Sequence, residues 1–179
     1  GRMTRYENAV AQRSRLLREG KKEPVWLDGL EKQIAETGVA IAAARVDFLG
    51  HLQAVCHARG EGRGEGNFPT ALLALAGVLE QEIASTSALA LEENFRNKLA
   101  QSRAEDSVYG GAAIGPHRTD FQVTYADKNM PASQCSTGEQ KALLIGLILA
   151  HADLIRQHRG APPILLLDEV AAHLDENRR

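Results

Sequence analysis

Two stretches of the sequence set polar groups where they could act on a phosphate. In the first, four apolar residues, Ile164, Leu165, Leu166 and Leu167, run straight into two adjacent carboxylates, Asp168 and Glu169. A buried strand fixes its carboxyl end rigidly, which would place Asp168 to hold Mg2+ through oxygen or water contacts. Glu169 would then polarise an attacking water as general base. The same six residues are equally well read as a buried strand closed by an Asp cap at a turn. In the second stretch, Cys135-Ser136-Thr137-Gly138-Glu139-Gln140-Lys141 leads into an apolar segment. A Ser and a Gly just ahead of a helix make an anion site, because free backbone N–H groups and the positive end of the helix dipole point at one spot. Ser136 adds a hydroxyl donor, and Gly138 permits close backbone approach. A plainer reading stands beside this one: Ser136 as N-cap, with Glu139 three residues on, forms a capping box.

For these groups to be held in place, residues 138–158 must be helical and 164–167 must form a central parallel strand, apolar on both faces and led in by Pro162-Pro163. Upstream, Phe121, Val123 and Tyr125 alternate with Gln122 and Thr124, which predicts a half-buried strand. Leu91, Phe95 and Leu99 fall at four-residue steps and predict one helix over 91–106, ahead of a Gly110-Gly111 turn. Residues 68–90 fit either a short strand turning into a helix or one helix interrupted at Gly77; the run of Leu72, Leu73 and Leu75 favours the strand. Glycines at 60, 62, 64 and 66 among charges predict a loop over 60–67, a hinge or a tip. Pro24 suits the start of a long amphipathic helix over 24–58, along Trp26, Leu30, Ile34, Ile41, Leu49 and Leu52. A basic helix over 4–20 precedes it. The chain thus reads as a mainly helical lobe over 1–109 followed by an α/β lobe over 110–179.

Composition agrees with that division. The 179 residues are 44% hydrophobic but only 4% aromatic, so the core is aliphatic and the bulk helical. A formal net charge of −2 excludes a polycationic coat, and any nucleic-acid contact must come from a local patch or an assembled oligomer. Cys56 and Cys135 stand alone and far apart, which suggests neither a disulfide framework nor a zinc ribbon. The histidines form no ligand pattern. With no uninterrupted apolar run of membrane-spanning length and no signal-peptide plan at its amino terminus, the chain reads as intracellular, in a reducing cytoplasm. Its opening Gly-Arg-Met-Thr-Arg, and its stop at Glu176-Asn177-Arg178-Arg179, directly behind a motif that should lead into a helix, read as a fragment of something longer.

Taken in order, the Ser-Gly turn, the apolar helix, the Pro-led strand and Asp168-Glu169 resemble the ordered core of ABC-type ATPases. Residues 135–141 resemble the signature motif, with Cys135 and Thr137 where Leu and the first Gly are commonest. Residues 164–169 resemble a Walker B motif, and Ala171-Ala172-His173-Leu174-Asp175 resembles the D-loop. The long helices ahead of the signature are unlike a transporter's compact insert. Gly115-Pro116-His117-Arg118-Thr119-Asp120 is similar to the Gly-Pro-His-Arg-Asp-Asp segment of the RecF family, with Thr119 for the first Asp. Tyr6, Arg13, Leu16-Leu17, Trp26 and Ala44-Arg45 before Phe48-Leu49 resemble that family's helical lobe, so the resemblance covers nearly the whole chain.

That resemblance implies an α/β fold with a large α-helical lobe: a partial ABC-type (P-loop NTPase) ATPase head, carrying the signature, Walker B and D-loop, plus a helical arm lobe. It implies ATP and Mg2+ as cofactors, Ser136, Gly138 and Glu139 as groups that meet the ATP of a partner subunit, Asp168 for the metal, Glu169 as base and Asp175 at the dimer interface. It further implies ATP-dependent homodimerisation, binding to duplex or gapped DNA, and loading of RecA at gaps with RecR and RecO. No Gly-x-x-x-x-Gly-Lys-Ser/Thr stretch occurs in the sequence, so this chain alone is not expected to hydrolyse ATP. For DNA the candidates are Arg5, Arg13, Arg15, Arg18, Lys21 and Lys22, whose clustered cations would displace counterions from phosphate, with Arg118 beside them; a solvated helix face is the alternative. Two other readings stand: another SMC-like ATPase, of RecN or chromosome-segregation type, although no long heptad seam is visible over 5–58, and a non-enzymatic helical interaction module.

Overall fold

Tyr6, Ala9, Arg13, Leu16 and Leu17 recur at steps of three and four, and this stripe gives α1 (Arg2–Arg18) one buried face. The computed structural model describes residues 1–20, 23–61 and 68–166. Helix α2 (Pro24–Glu61) runs for 38 residues. Its Leu27, Leu30, Ile34, Ala35, Val39 and Ala42 are buried with Tyr6, Ala9, Leu16 and Leu17 of α1 in one core cluster. Trp26, expected on that apolar face, is 54% exposed because it stands one position off Leu27. By length and composition α2 is apolar enough to cross a bilayer, with a window of mean hydropathy 1.3; here its apolar positions build the cores described.

The chain divides into two units, Gly1–Val46 with Leu75–Asp120, and Asp47–Ala74 with the described residues from Phe121 on. Both are discontinuous in sequence, where the sequence reading expects a single cut at 109/110. In the first unit, α3 (Val78–Glu82) and α4 (Ala88–Gln101) bring Leu79, Leu91, Phe95 and Leu99 into the core. Gly38 makes this packing possible: a Cβ there would lie 2.9 Å from a Phe95 ring carbon and 3.3 Å from Tyr6. The Oγ of Ser87 accepts from the N–H of Ala90 at 3.3 Å and caps α4. The single helix expected over 91–106 is two helices, broken at Ser102, with α5 (Arg103–Tyr109) following. At the break, the carbonyl of Leu99 accepts from the buried Arg13 guanidinium at 2.6 Å and from Ser102 Oγ at 3.1 Å.

Strands β1 (Ala71–Ala76), β2 (Asp120–Tyr125) and β3 (Met130–Pro131) form a sheet in that order, with β2 and β3 antiparallel in register Thr124↔Pro131 and Tyr125↔Met130. Residues 68–90 therefore form a strand turning into a helix, the first of the two readings. Gln53 of α2 closes the β1 edge, donating to the Ala71 carbonyl at 3.1 Å and accepting from the Leu73 N–H at 2.6 Å. Leu52, Val55 and Cys56 pack with Ala150 and Leu154 of α6 (Thr137–Arg159). Gly146 lets α6 pass Phe68, whose Cβ would be 3.0 Å from a Cβ at 146.

Two strand expectations need correction. Phe121 is 45% exposed, and burial on β2 grows along the strand toward the residues paired with β3 instead of alternating. Ile164, Leu165 and Leu166 are irregular and 92%, 38% and 94% exposed. A central parallel strand needs a ladder on each side, and among the described residues no strand pairs with them.

Candidate functional site

The turn at 135–141 is built by the hairpin that precedes it. Asn129, in the left-handed region at φ 46°, reverses the chain between β2 and β3. A 3-10 turn over Ala132–Gln134 then delivers Cys135, buried in a cluster with Ala71 and Leu143 that Val123, Tyr125 and Met130 pack against, to the start of α6. Gln140 Nε2 donates to the Cys135 carbonyl at 3.1 Å and fixes the turn from the helix side. Ser136 is the N-cap of this 23-residue helix and closes a complete capping box. Its Oγ accepts from the Glu139 N–H at 3.4 Å, while Glu139 Oε2 accepts from the Ser136 N–H at 2.9 Å and from its hydroxyl at 2.8 Å.

Charge gathers at the same place. Glu139 Oε1 accepts from Lys128 Nζ, and Lys128 also sits 5.7 Å above the Tyr125 ring. The Lys128 ammonium, and after it the Ser136 hydroxyl and N–H, hold the Glu139 carboxyl down to about 2; the Lys128 ammonium is raised in turn, chiefly by its hydrogen bond to Glu139. The first-turn N–H groups of Thr137 and Gly138 have no acceptor within the helix. Nothing lies within 4 Å of where a Cβ at Gly138 would stand. An anion can thus approach this helix end closely, provided it deals with the carboxylate already there.

The other candidates separate. Asp168, Glu169, Asp175, Lys21 and Lys22 lie outside the described residues, as do residues 62–67 of the loop expected over 60–67, whose first two residues instead end α2. Arg5, Arg15 and Arg18 are exposed on α1; Arg15 pairs with Glu19 at 2.8 Å, and Arg18 reaches the Ser14 carbonyl at 3.4 Å. Arg13 is not a surface cation. It is fully buried, donating to Glu31 Oε1 at 2.9 Å, to Asp106 Oδ2 at 2.7 Å and to the Leu99 carbonyl. Its guanidinium is occupied, and it cannot meet DNA without unfolding the core; its place on the Tyr6-Ala9-Leu16 stripe is the signal that separates it from its basic neighbours. Arg103 completes the network, donating from Nε to Glu31 at 2.9 Å and also reaching Asp28, so two arginines face three carboxylates.

Sequence reasoning also missed how the 115–120 segment is tied down. Its Gly115 has φ 143° and nearly touches Tyr6: a Cβ there would be 2.2 Å from the phenolic oxygen. His117 Nε2 donates to the Ala112 carbonyl at 2.9 Å, which leaves Nδ1 to accept from the Tyr6 hydroxyl at 2.7 Å. Burial pushes the Tyr6 hydroxyl well above its ordinary range. Arg45 donates to the Pro116 carbonyl and lies 3.8 Å from Glu80, which accepts from Thr119 Oγ1 at 2.8 Å. Thr119 therefore serves the fold with its hydroxyl. Arg118 is exposed, with Nε 3.4 Å from the Ala112 carbonyl. Among the described residues no cluster of three or more His, Cys, Asp or Glu suits a metal ion.

The chain matches no protein-family model. Over 178 residues it is similar to curated proteins described as DNA replication and repair protein RecF: 48% identical to that of Agrobacterium fabrum, 51% to that of Brucella abortus (strain 2308) and 44% to that of Rhizobium meliloti. Each alignment covers 99% of this chain and 46% of the relative, so the chain spans about half the length of the curated relatives it matches. Two solved structures share its fold at a TM-score of 0.80, with 24% and 22% identity, over 99% of this chain and 47% of each of theirs. They are described as the recombination mediator protein RecF-ATP, and RecF-ATPrS, in the RecFOR pathway.

Proposed function

We propose, from the premise that the sequence is RecF-type over 99% of its length, that this chain supplies the ATP-sensing part of a DNA repair and recombination ATPase. In this reading Ser136 and Gly138, with Glu139 beside them, meet the γ-phosphate of ATP held by a second subunit, and ATP thereby drives homodimerisation. Open space at Gly138, on the positive end of a long helix, is the observation that carries the reading. Ser136 offers its hydroxyl and the turn offers first-turn N–H groups, a donor set that fits a phosphate and no cation. Asp168 would hold Mg2+, which neutralises phosphate charge; Glu169 would orient the attacking water and Asp175 would stand at the subunit interface. The phosphate-binding loop that this sequence lacks must come from elsewhere for turnover to occur.

The same reading extends to partners. Arg5, Arg15, Arg18, Lys21, Lys22 and Arg118 are the candidates for gapped or duplex DNA, Arg13 being excluded by burial. RecR, RecO and the loading of RecA onto single-stranded gaps follow from the family resemblance, as does a cytoplasmic location.

A complete capping box favours one rival, a non-enzymatic helical module in which Ser136 and Glu139 merely close a helix end. Gly138→Ala separates the two. A glycine in the first turn of an exposed helix costs roughly 0.5–1 kcal/mol relative to alanine, so the variant is expected to be as stable as the parent or more so. If Gly138 meets phosphate, ATP-dependent dimerisation of the full RecF-type protein, followed by analytical ultracentrifugation, should weaken by about tenfold or more. Undiminished dimerisation in a stabilised variant would leave the helix-cap module as the better account.

A further inference from the structure

Ser136 has one hydroxyl proton, and it is donated in a hydrogen bond to Glu139. Glu139 Oε2 accepts from both that hydroxyl, at 2.8 Å, and the Ser136 N–H, at 2.9 Å. A carboxylate is thus already seated on the donors that a phosphate would use, at the end of α6 where anions are favoured. The two oxygens of Glu139 have different partners: Oε2 serves Ser136 and Oε1 serves Lys128. Lys128 comes from the turn between β2 and β3, ahead of the left-handed Asn129, and its ammonium is steadied over the Tyr125 ring. It therefore reaches the site from a different element than Ser136, and through Glu139.

We infer that Lys128 is a positioning residue for the phosphate-binding turn: it retains the Glu139 carboxylate when an anion arrives, so that Ser136 is released to the phosphate and the displaced charge stays neutralised. This rests on the phosphate reading of the turn proposed above. Without Lys128 the carboxylate has, among the described residues, Ser136 as its remaining partner, keeps the donors occupied and repels the incoming anion. The low carboxyl value at Glu139, set first by Lys128 and then by Ser136, fits one carboxylate shared between two holders.

The test is a double-mutant cycle on the 179-residue chain, titrated with inorganic tripolyphosphate and followed by the amide shifts of Ser136 and Gly138. Lys128→Ala is expected to weaken binding about two- to fivefold, the scale of one exposed charge interaction, and Lys128→Arg to restore it. Glu139→Gln removes the competing charge and should tighten binding by a similar factor. In the Glu139→Gln background, Lys128→Ala should change nothing. An equal loss from Lys128→Ala in both backgrounds would mean that Lys128 meets phosphate directly and would overturn the positioning role. Unchanged affinity in Lys128→Ala alone overturns the inference and leaves the phosphate reading standing. No shift at Ser136 or Gly138 in any variant sinks the phosphate reading, and the inference with it.

Discussion

Replacing Arg13 by Met strands the charges that it holds. Breaking a buried ion pair by removing one partner costs about 3–5 kcal/mol, because the other charge remains in the core. Here the stranded groups are unequal. Glu31 keeps Arg103, whose Nε reaches it at 2.9 Å. Among the described residues Asp106 keeps only neutral donors, Ser102 Oγ at 2.7 Å and the Ala113 N–H at 3.2 Å, and its side chain is 4% exposed. The Leu99 carbonyl loses its 2.6 Å donor and is left to share the single Ser102 hydroxyl proton with Asp106. One poorly compensated carboxylate puts the expected loss near the lower limit, about 3 kcal/mol. At a urea dependence of about 1–3 kcal/mol/M, the unfolding midpoint should fall by roughly 1–3 M. Trp26, the single tryptophan, lies in the same unit as Arg13, so its fluorescence follows the transition there. Adding Asp106→Asn removes the stranded charge while keeping an Oδ1 that can accept from the Ala113 N–H and an amide that can donate to Ser102 Oγ, and should recover at least about 1 kcal/mol as a coupling energy. A loss below about 1 kcal/mol for Arg13→Met, or no recovery in the double variant, would falsify this account of the network and reopen Arg13 as a surface cation.

Two further outcomes follow from local geometry. Gly115→Ala forces a side chain onto a backbone at φ 143° and a Cβ to within 2.2 Å of the Tyr6 oxygen; strain and the lost Tyr6–His117 bond together predict a destabilisation of about 2–4 kcal/mol by thermal or urea unfolding. Gly20→Ala, with φ 67° but nothing within 4 Å, is the control, expected to cost only about 1 kcal/mol; equal losses would remove the packing argument. Glu139 has a folded-state value of about 2 against an ordinary 4.5. Because that value is depressed, the carboxylate's contribution to the helix start is fully present above pH 4.5 and is lost as pH falls through about 2. Side-chain carbonyl shifts of Glu139 followed by NMR should show this titration, and Lys128→Ala should move it upward.

Local patterns carried much of this architecture. Leu91, Phe95 and Leu99 gave the buried face of α4 because a helical repeat needs no distant partner to be seen. Ser136 and Glu139 gave the helix start because capping is settled within four residues. The helix break at Ser102 was not legible: it forms where Arg13 reaches the Leu99 carbonyl from 86 residues away. Arg13 itself was grouped with its basic neighbours by composition, although its spacing from Tyr6, Ala9 and Leu16 placed it on the buried stripe. Lys128 escaped notice because its meaning lies in a turn geometry that brings it to Glu139, and no motif spans that distance. At 164–166 the apolar run predicted a buried strand, yet Ile164 and Leu166 are exposed, since hydrophobicity names a preference for burial without naming the surface that provides it.

The order in which the Arg13 partners leave the ribosome follows from the same network. Glu31 is 18 residues downstream of Arg13 and Asp106 is 93. At about 5–20 residues per second, synthesis of the stretch between Glu31 and Asp106 takes roughly 4–15 s. During that time the nascent α1 and α2 can meet through Tyr6, Leu16, Leu27 and Ile34, with Arg13 and Glu31 already paired between them. The hairpin then carries a charged seam that water can reach until α5 arrives. A residue that later lies wholly inside the core thus serves first as a solubilising group on an unfinished surface, and the arrival of Asp106 converts it from one to the other.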